Sequence, residues 1–230
     1  MRGGDFFVGN SLARKFLAYR AVPVYNMVDM RSLRRRFTMG REFELKFSAT
    51  PQQQASLACR FGEFSVIAME TTYYDTPDRA LSDRRITLRR RLENGRSVCT
   101  LKTPTDGVGR GEWEVEREEI TQAIDELCKL SQWDGLPELL ALGVEPVCGA
   151  CFTRQAKTLV LEGCTVELAL DRGILLGGGR ELPLCEVEVE LKSGSEDAAV
   201  DFAKALSREF GLKQEKKSKF RRALALARGE

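Results

Sequence analysis

Histidine is absent from the 230 residues. That excludes a Ser-His-Asp triad, an imidazole general base and any histidine-liganded zinc or iron site. Long apolar runs are missing too. None reaches the roughly 18 residues of a membrane-spanning helix. The first residues, MRGGDFFVGNSLARKF, hold no continuous apolar segment and no small-residue cleavage site, so a secretory signal peptide is not expected. Cysteine is present but unpaired in number: seven thiols, scattered, which fits a reducing cytoplasm. Cys148 and Cys151 form a C-x-x-C without a second pair, so they read as small buried apolar residues rather than a metal or redox site. Acid–base work is left to Glu, Asp, Lys, Tyr or Cys, and any metal to oxygen or thiolate ligands.

The rest of the composition is globular: 43% hydrophobic and 30% charged, enough to bury a core. The net charge of +2 is uneven. Residues 1–40 hold 8 Lys/Arg against 2 Asp/Glu, and residues 41–230 hold 28 against 32. Residues 1–39 therefore read as a basic leader, disordered or preceding the true start, with Met39 a natural first residue for the patterned chain beyond it. A basic segment can touch nucleic acid or an anionic surface, but neither nucleic acid nor membrane is expected as a partner.

From Arg41 the chain alternates. Glu42, Glu44 and Lys46 fall on one face of a strand, and Phe43, Leu45 and Phe47 on the other. Arg89 and Arg91 share a face in Ile86–Leu92, and Lys102 follows in Val98–Thr103. Next, Arg110, Glu112 and Glu114 lie opposite Trp113 and Val115. Glu167 and Asp171 lie opposite Val166, Leu168 and Leu170. Glu186, Glu188 and Glu190 lie opposite Val187, Val189 and Leu191. Helical patterns intervene at Pro51–Phe61, with Thr50 as N-cap and Pro51 first, at Ile120–Leu130, Pro137–Leu142 and Glu196–Phe210, and at Lys216–Arg228. Gly211 reads as a C-cap. Turns are marked at Thr76-Pro77-Asp78, Glu93-Asn94-Gly95, Asp106-Gly107 and Gly177-Gly178-Gly179.

About eight strands with one apolar and one charged face admit two arrangements. In a sandwich the charged faces meet water. In a barrel covered by helices they line the lumen, where charge is costly unless paired, metal-bound or met by a charged ligand.

The ordered motifs decide between them. Glu42-x-Glu44-x-Lys46, Tyr73-Tyr74-Asp75-Thr76-Pro77, Leu88-Arg89-Arg90-Arg91, Leu101-Lys102, Arg110-x-Glu112-x-Glu114, Phe152-Thr153-Arg154, Glu167 to Asp171, Glu186-x-Glu188-x-Glu190 and Ser218-Lys219 resemble, in this order and spacing, the CYTH family, or triphosphate tunnel metalloenzymes. The likeness covers about residues 40–228 and is greatest to the bacterial inorganic triphosphatase branch. It implies an α+β fold: an eight-stranded antiparallel β-barrel, or tunnel, with a charged lumen and helices covering the outside, over a domain 40–230. It implies metal-dependent hydrolysis of inorganic triphosphate to diphosphate and phosphate. The other activities of the family, thiamine triphosphatase and class IV adenylate cyclase, stand as alternatives, as does a non-catalytic polyphosphate- or nucleotide-binding module.

Carried across residue by residue, the resemblance gives Glu42, Glu44, Asp171, Glu186 and Glu188 to the metal, Mg²⁺ or Mn²⁺. It gives Lys46, Arg89, Arg91, Lys102, Arg110, Arg154 and Lys219 to the phosphates. Glu112 is expected to orient cationic side chains or a metal-bound water. The general base stays open between Lys46 and a lumen carboxylate. Asp75 and Thr76 read as turn formers, Glu114 and Glu190 as wall or rim charges. Arg90 departs from the family pattern, which is usually apolar there, and is expected at a gap in the helical cover.

Overall fold

Alternating side chains need a sheet with two distinct environments, and the computed structural model, which describes residues 40–104 and 110–230, supplies one. In chain order the elements are β1 (Gly40–Glu42), β2 (Glu44–Ser48), α1 (Pro51–Phe61), β3 (Ser65–Asp75), α2 (Ala80–Asp83), β4 (Thr87–Glu93), β5 (Arg96–Pro104), β6 (Arg110–Val115), α3 (Ile120–Ser131), α4 (Leu136–Leu140), β7 (Glu145–Leu161), β8 (Cys164–Gly177), β9 (Arg180–Gly194), α5 (Glu196–Phe210), β10 (Lys213–Gln214) and α6 (Lys219–Arg228). The basic leader and the Asp106-Gly107 turn lie outside the described residues.

Local chemistry explains the boundaries. The Thr50 hydroxyl accepts from the Gln53 amide while the Gln53 side chain accepts from the Thr50 amide, a capping box, with Pro51 opening the helix. Ser195 caps α5 and Gly211 ends it in the left-handed region. Asn94 and Gly95 take positive φ values of 50° and 87°, as a tight two-residue hairpin between β4 and β5 requires.

The strands form one antiparallel sheet in the order β1-β6-β5-β4-β3-β7-β8-β9-β2-β10. The first strand of that order, β1, and the last but one, β2, are contiguous in the chain. β1 pairs with β6, β2 pairs with β9, and only Phe43 separates β1 from β2. Its carbonyl accepts from the Leu191 amide. The segment 40–48 thus joins the β6 side to the β9 side and closes a barrel. With β1–β2 counted as one wall strand and the two-residue β10 set aside, the wall has eight strands. The expected single strand at Arg41–Phe47 is broken at Phe43, where its pairing passes from one neighbour to the other.

Apolar faces outside the barrel are covered by helices. Val166, Leu168, Leu170, Val187 and Val189 pack under α1 and α5. Leu88, Cys99, Leu101 and Val115 pack under α2, α3 and α4. Burying each such aliphatic side chain contributes about 1.5–3 kcal/mol. Helix α6 does something else. Phe220 and Ala223 pack with Met69, Tyr73, Cys148, Ala150, Phe152, Leu175 and Leu184, which by strand alternation sit on the lumen face. The tunnel is therefore charged over part of its length and apolar where α6 fills it.

Candidate active site

Register assembles the charged part of the lumen. Asp171 pairs with Arg154 on β7 and Glu186 on β9. Lys46 pairs with Glu188, and Glu44 with Glu190, which in turn pairs with Glu167. On the other side, Arg89 pairs with Tyr73 and Thr100, Arg91 with Thr71, and Lys102 with Glu112. Residues two apart on each strand share this face.

Asp171, Glu186 and Glu188 bring carboxylate oxygens within 4.8 Å of one another, all three buried. Cations already face them. The Lys219 ammonium lies 2.8 Å from Asp171 Oδ2, 2.6 Å from Glu186 Oε2 and 2.7 Å from Glu188 Oε1. Arg154 grips Asp171 in a bidentate pair of 2.8 and 2.7 Å and also pairs with Glu188, the planar fork that suits a carboxylate. Arg222, one turn along α6, pairs with Glu186. Burial by itself would raise the Glu188 carboxyl, but Lys219 and Arg154 hold it well below the usual carboxylate range. Burial would likewise lower the Lys219 ammonium, which Glu188, Asp171 and Glu186 hold above its ordinary value.

The opposite wall gathers cations. Arg89, Arg91 and Lys102 are 8, 9 and 9% exposed. Glu112 lies 3.5 Å from Arg89 and 3.2 Å from Lys102, and Glu114 accepts from Thr100 at 2.9 Å. Arg91 donates through Nε to Thr71 at 3.2 Å. Its guanidinium is pushed down, first by burial and then by the like charges of Arg89 and Arg154. Lys46, 2.7 Å from Glu44, is depressed by burial but raised overall by Glu44 and Glu188. It is held as the ammonium.

One carboxylate group among the described residues brings its oxygens close enough to hold a cation, the Asp171, Glu186, Glu188 trio. The register row Glu44, Glu190, Glu167 lies on the same face across three neighbouring strands, where Lys192 lies 2.8 Å from Glu190 and 4.0 Å from Glu167. The trio offers oxygen donors only, the set a hard divalent ion takes.

Of the residues expected from sequence, Lys46, Arg89, Arg91, Lys102, Arg154, Lys219, Glu44, Glu112, Asp171, Glu186 and Glu188 share the lumen face. Glu42 and Arg110 are main-chain register partners where β1 meets β6. Asp75 and Thr76 are turn formers: Asp75 accepts from the amides of Thr76 and Leu81. Arg90 lies outside the lumen and donates to Ser97 Oγ at 3.1 Å. Cys148 and Cys151, three apart on β7, point to opposite faces, and Cys148 is buried among apolar side chains with its thiol pushed up to about 12 by burial. Sequence reasoning missed Arg222 and Gln54. Arg222 stands three residues after Lys219, on the same helical face, and that spacing could have found it.

A family model described as the CYTH domain matches residues 40–224. The chain is 30% identical over 200 residues to the inorganic triphosphatase of Haemophilus influenzae, covering 82% of this chain and 55% of that protein. It thus spans about half the length of that curated relative. Among solved structures, a Pyrococcus horikoshii protein superposes with a TM-score of 0.54 at 27% identity, over 81% of this chain and 99% of that one. A Hippeastrum protein with a dominant triphosphatase activity superposes with a TM-score of 0.54 at 19% identity, over 82% and 95%, a likeness of fold.

Proposed function

We propose that this chain, which belongs to the CYTH family, hydrolyses inorganic triphosphate to diphosphate and phosphate in the charged part of its tunnel. The observation that carries this reading is the gathering of Arg89, Arg91, Lys102 and Arg154 on the lumen face, with side chains only 10, 10, 11 and 11% exposed. A polyanion relieves the repulsion among these like charges, and guanidinium forks match phosphate oxygens.

The donor set fits a divalent cation, Mg²⁺ or Mn²⁺. Asp171, Glu186 and Glu188, whose carboxylate oxygens lie within 4.8 Å of one another, would hold it together with Glu44 and Glu42. The trio also pairs with buried Lys219 and Arg154 and so fixes those two cations against the phosphates. A bound ion would screen phosphate charge and lower the pKa of the attacking water.

The remaining work belongs to the chain. Arg89, Arg91, Lys102 and Arg154, with Lys46 and Arg110, hold the phosphate chain, and Lys219 closes the end next to α6. Glu112 acts through Arg89 and Lys102 as a positioning residue. Water adds to a terminal phosphorus and the phosphoanhydride bond breaks, leaving diphosphate. The proton acceptor falls to a lumen carboxylate, since Lys46 is already protonated. No helix among the described residues is long and apolar enough to cross a membrane. Seven free thiols support a cytoplasmic setting.

The test is release of phosphate, diphosphate and cyclic AMP from tripolyphosphate, ATP and thiamine triphosphate, with Mg²⁺ or Mn²⁺ and with EDTA. Tripolyphosphate should be cleaved fastest and only with metal. Arg91→Ala should lower kcat/KM about 10- to 100-fold, one charge-assisted hydrogen bond of about 1.5–3 kcal/mol. Cyclic AMP from ATP, or turnover that survives EDTA, would sink the reading.

A further inference from the structure

Gln54 is a buried polar residue on an apolar stripe. Gln54, Leu57, Ala58 and Phe61 follow the i, i+3, i+4, i+7 spacing of the face that α1 turns to the sheet, and Leu57, Ala58 and Phe61 pack there. Gln54 is only 6% exposed. Its amide Nε2 donates to two main-chain carbonyls, Asp171 and Glu186, at 2.9 Å each. Those residues are register partners on β8 and β9. Their side chains, on the other face of the same wall, are two of the three carboxylates that hold Lys219.

We infer that Gln54 is a positioning residue for the tunnel site, acting from outside the barrel: its amide fixes the main chains from which Asp171 and Glu186 project, and through them Lys219 and Arg154. The inference rests on the hydrolytic reading for its effect on turnover, but not for its effect on Lys219. Gln53 provides the control. It is the preceding residue on α1, and its amide also donates to two carbonyls, Phe210 at 2.9 Å and Gly211 at 3.0 Å. Those lie at the end of α5, away from the lumen. One glutamine ties helix to helix, the other ties helix to catalytic wall.

The experiment compares Gln54→Met and Gln53→Met, unbranched replacements that keep length and remove the donor. Two readouts are taken: steady-state kinetics on tripolyphosphate, and labelling of Lys219 by an acetylating reagent, quantified by mass spectrometry against the other lysines without metal or substrate. Gln54→Met should lower kcat about 10- to 100-fold, as loss of a hydrogen-bond partner behind a site's ligands does, with KM within about threefold and Lys219 labelling clearly raised. Gln53→Met should lower the melting temperature and leave kcat and Lys219 labelling as in wild type. The inference is overturned if Gln54→Met matches wild type in both readouts, or if Gln53→Met reproduces both changes. If Gln54→Met does not fold, Gln54→Leu replaces it; failure of both while Gln53→Met folds makes Gln54 a purely structural residue and also overturns the inference. If the wild type does not cleave tripolyphosphate, the proposed function falls and Lys219 labelling alone decides the role of Gln54.

Discussion

At the scale of single residues, the site is governed by which charge is matched to which. Lys219 is 6% exposed and faces three buried carboxylates. Removing one partner of a buried ion pair typically costs about 3–5 kcal/mol, because uncompensated charge stays behind. Lys219→Met should therefore destabilise the chain by about that amount at neutral pH. The pH dependence has a definite sign. Glu188 is held below its ordinary value by Lys219 and Arg154 against the effect of burial. Its contribution is present above the unfolded carboxylate value, about 4.3 for Glu, and is lost as pH falls through the lower folded value. Without Lys219 the Glu188 carboxylate is buried with less compensation, so it rises and takes up a proton at higher pH. The stability deficit of Lys219→Met should shrink between pH 7.5 and pH 5. Urea midpoints at the two pH values measure this, and a deficit that grows on acidification would show that Lys219 does not neutralise the trio. The charge types at this site were legible in the sequence, because E-x-E and R-x-R spacing on strands puts like residues on one face. Which carboxylate meets which cation was not legible. That depends on register between strands distant in sequence, such as Arg154 with Asp171, and on a helix that returns from the far end of the chain.

Among the elements, the outer helices follow from amphipathic spacing and caps, and α1 and α5 run over the residues expected of them. Strands β3 and β7 were harder to see, since β7 carries Gly149 and Ala150 where a strand interior usually has large side chains, and small residues there weaken the pattern. The seat of α6 could not be read, since a stripe of Phe220, Ala223, Leu224 and Ala227 fits an outer wall as well as a tunnel end. What fixes the seat is close approach. A Cβ on Gly177 would stand 2.4 Å from the Ala223 carbonyl oxygen and 2.7 Å from the Ala227 nitrogen. Backbone cannot yield there as a side-chain tip can. Gly177→Ala should destabilise by about 1–3 kcal/mol, the usual cost of overpacking, and should lower turnover because Lys219 and Arg222 move with the helix. Denaturant midpoint and tripolyphosphate kinetics test it together. A variant with wild-type values of both would mean that α6 is not seated against the end of β8.

For the whole molecule, the decisive step is how the barrel closes. A sheet whose end strands are unpaired leaves edges, and closure removes them. Here the closure runs through nine residues, 40–48, that pair with β6 before Phe43 and with β9 after it. A short segment does this because the pairing changes partner midway, so one strand serves two neighbours on different sides of the gap. That arrangement separates two truncations that differ by only a few residues. Cutting after residue 38 keeps Gly40–Glu42 on β6 and keeps the Phe43 carbonyl that accepts from Leu191. All the lumen side chains also lie beyond the cut. We expect this form to melt at the wild-type temperature and to turn over tripolyphosphate at an unchanged rate. Cutting after residue 43 removes the whole β1–β6 ladder and that hydrogen bond, and leaves β6 as an open edge. It also removes Glu42. This form should lose stability, self-associate through the exposed strand and lose activity. Thermal melting, sedimentation and phosphate release on the two forms decide the matter. If the shorter cut already costs stability or activity, then residues 1–38 belong to the working domain. If the longer cut leaves a stable monomer, the barrel is not held shut by residues 40–43.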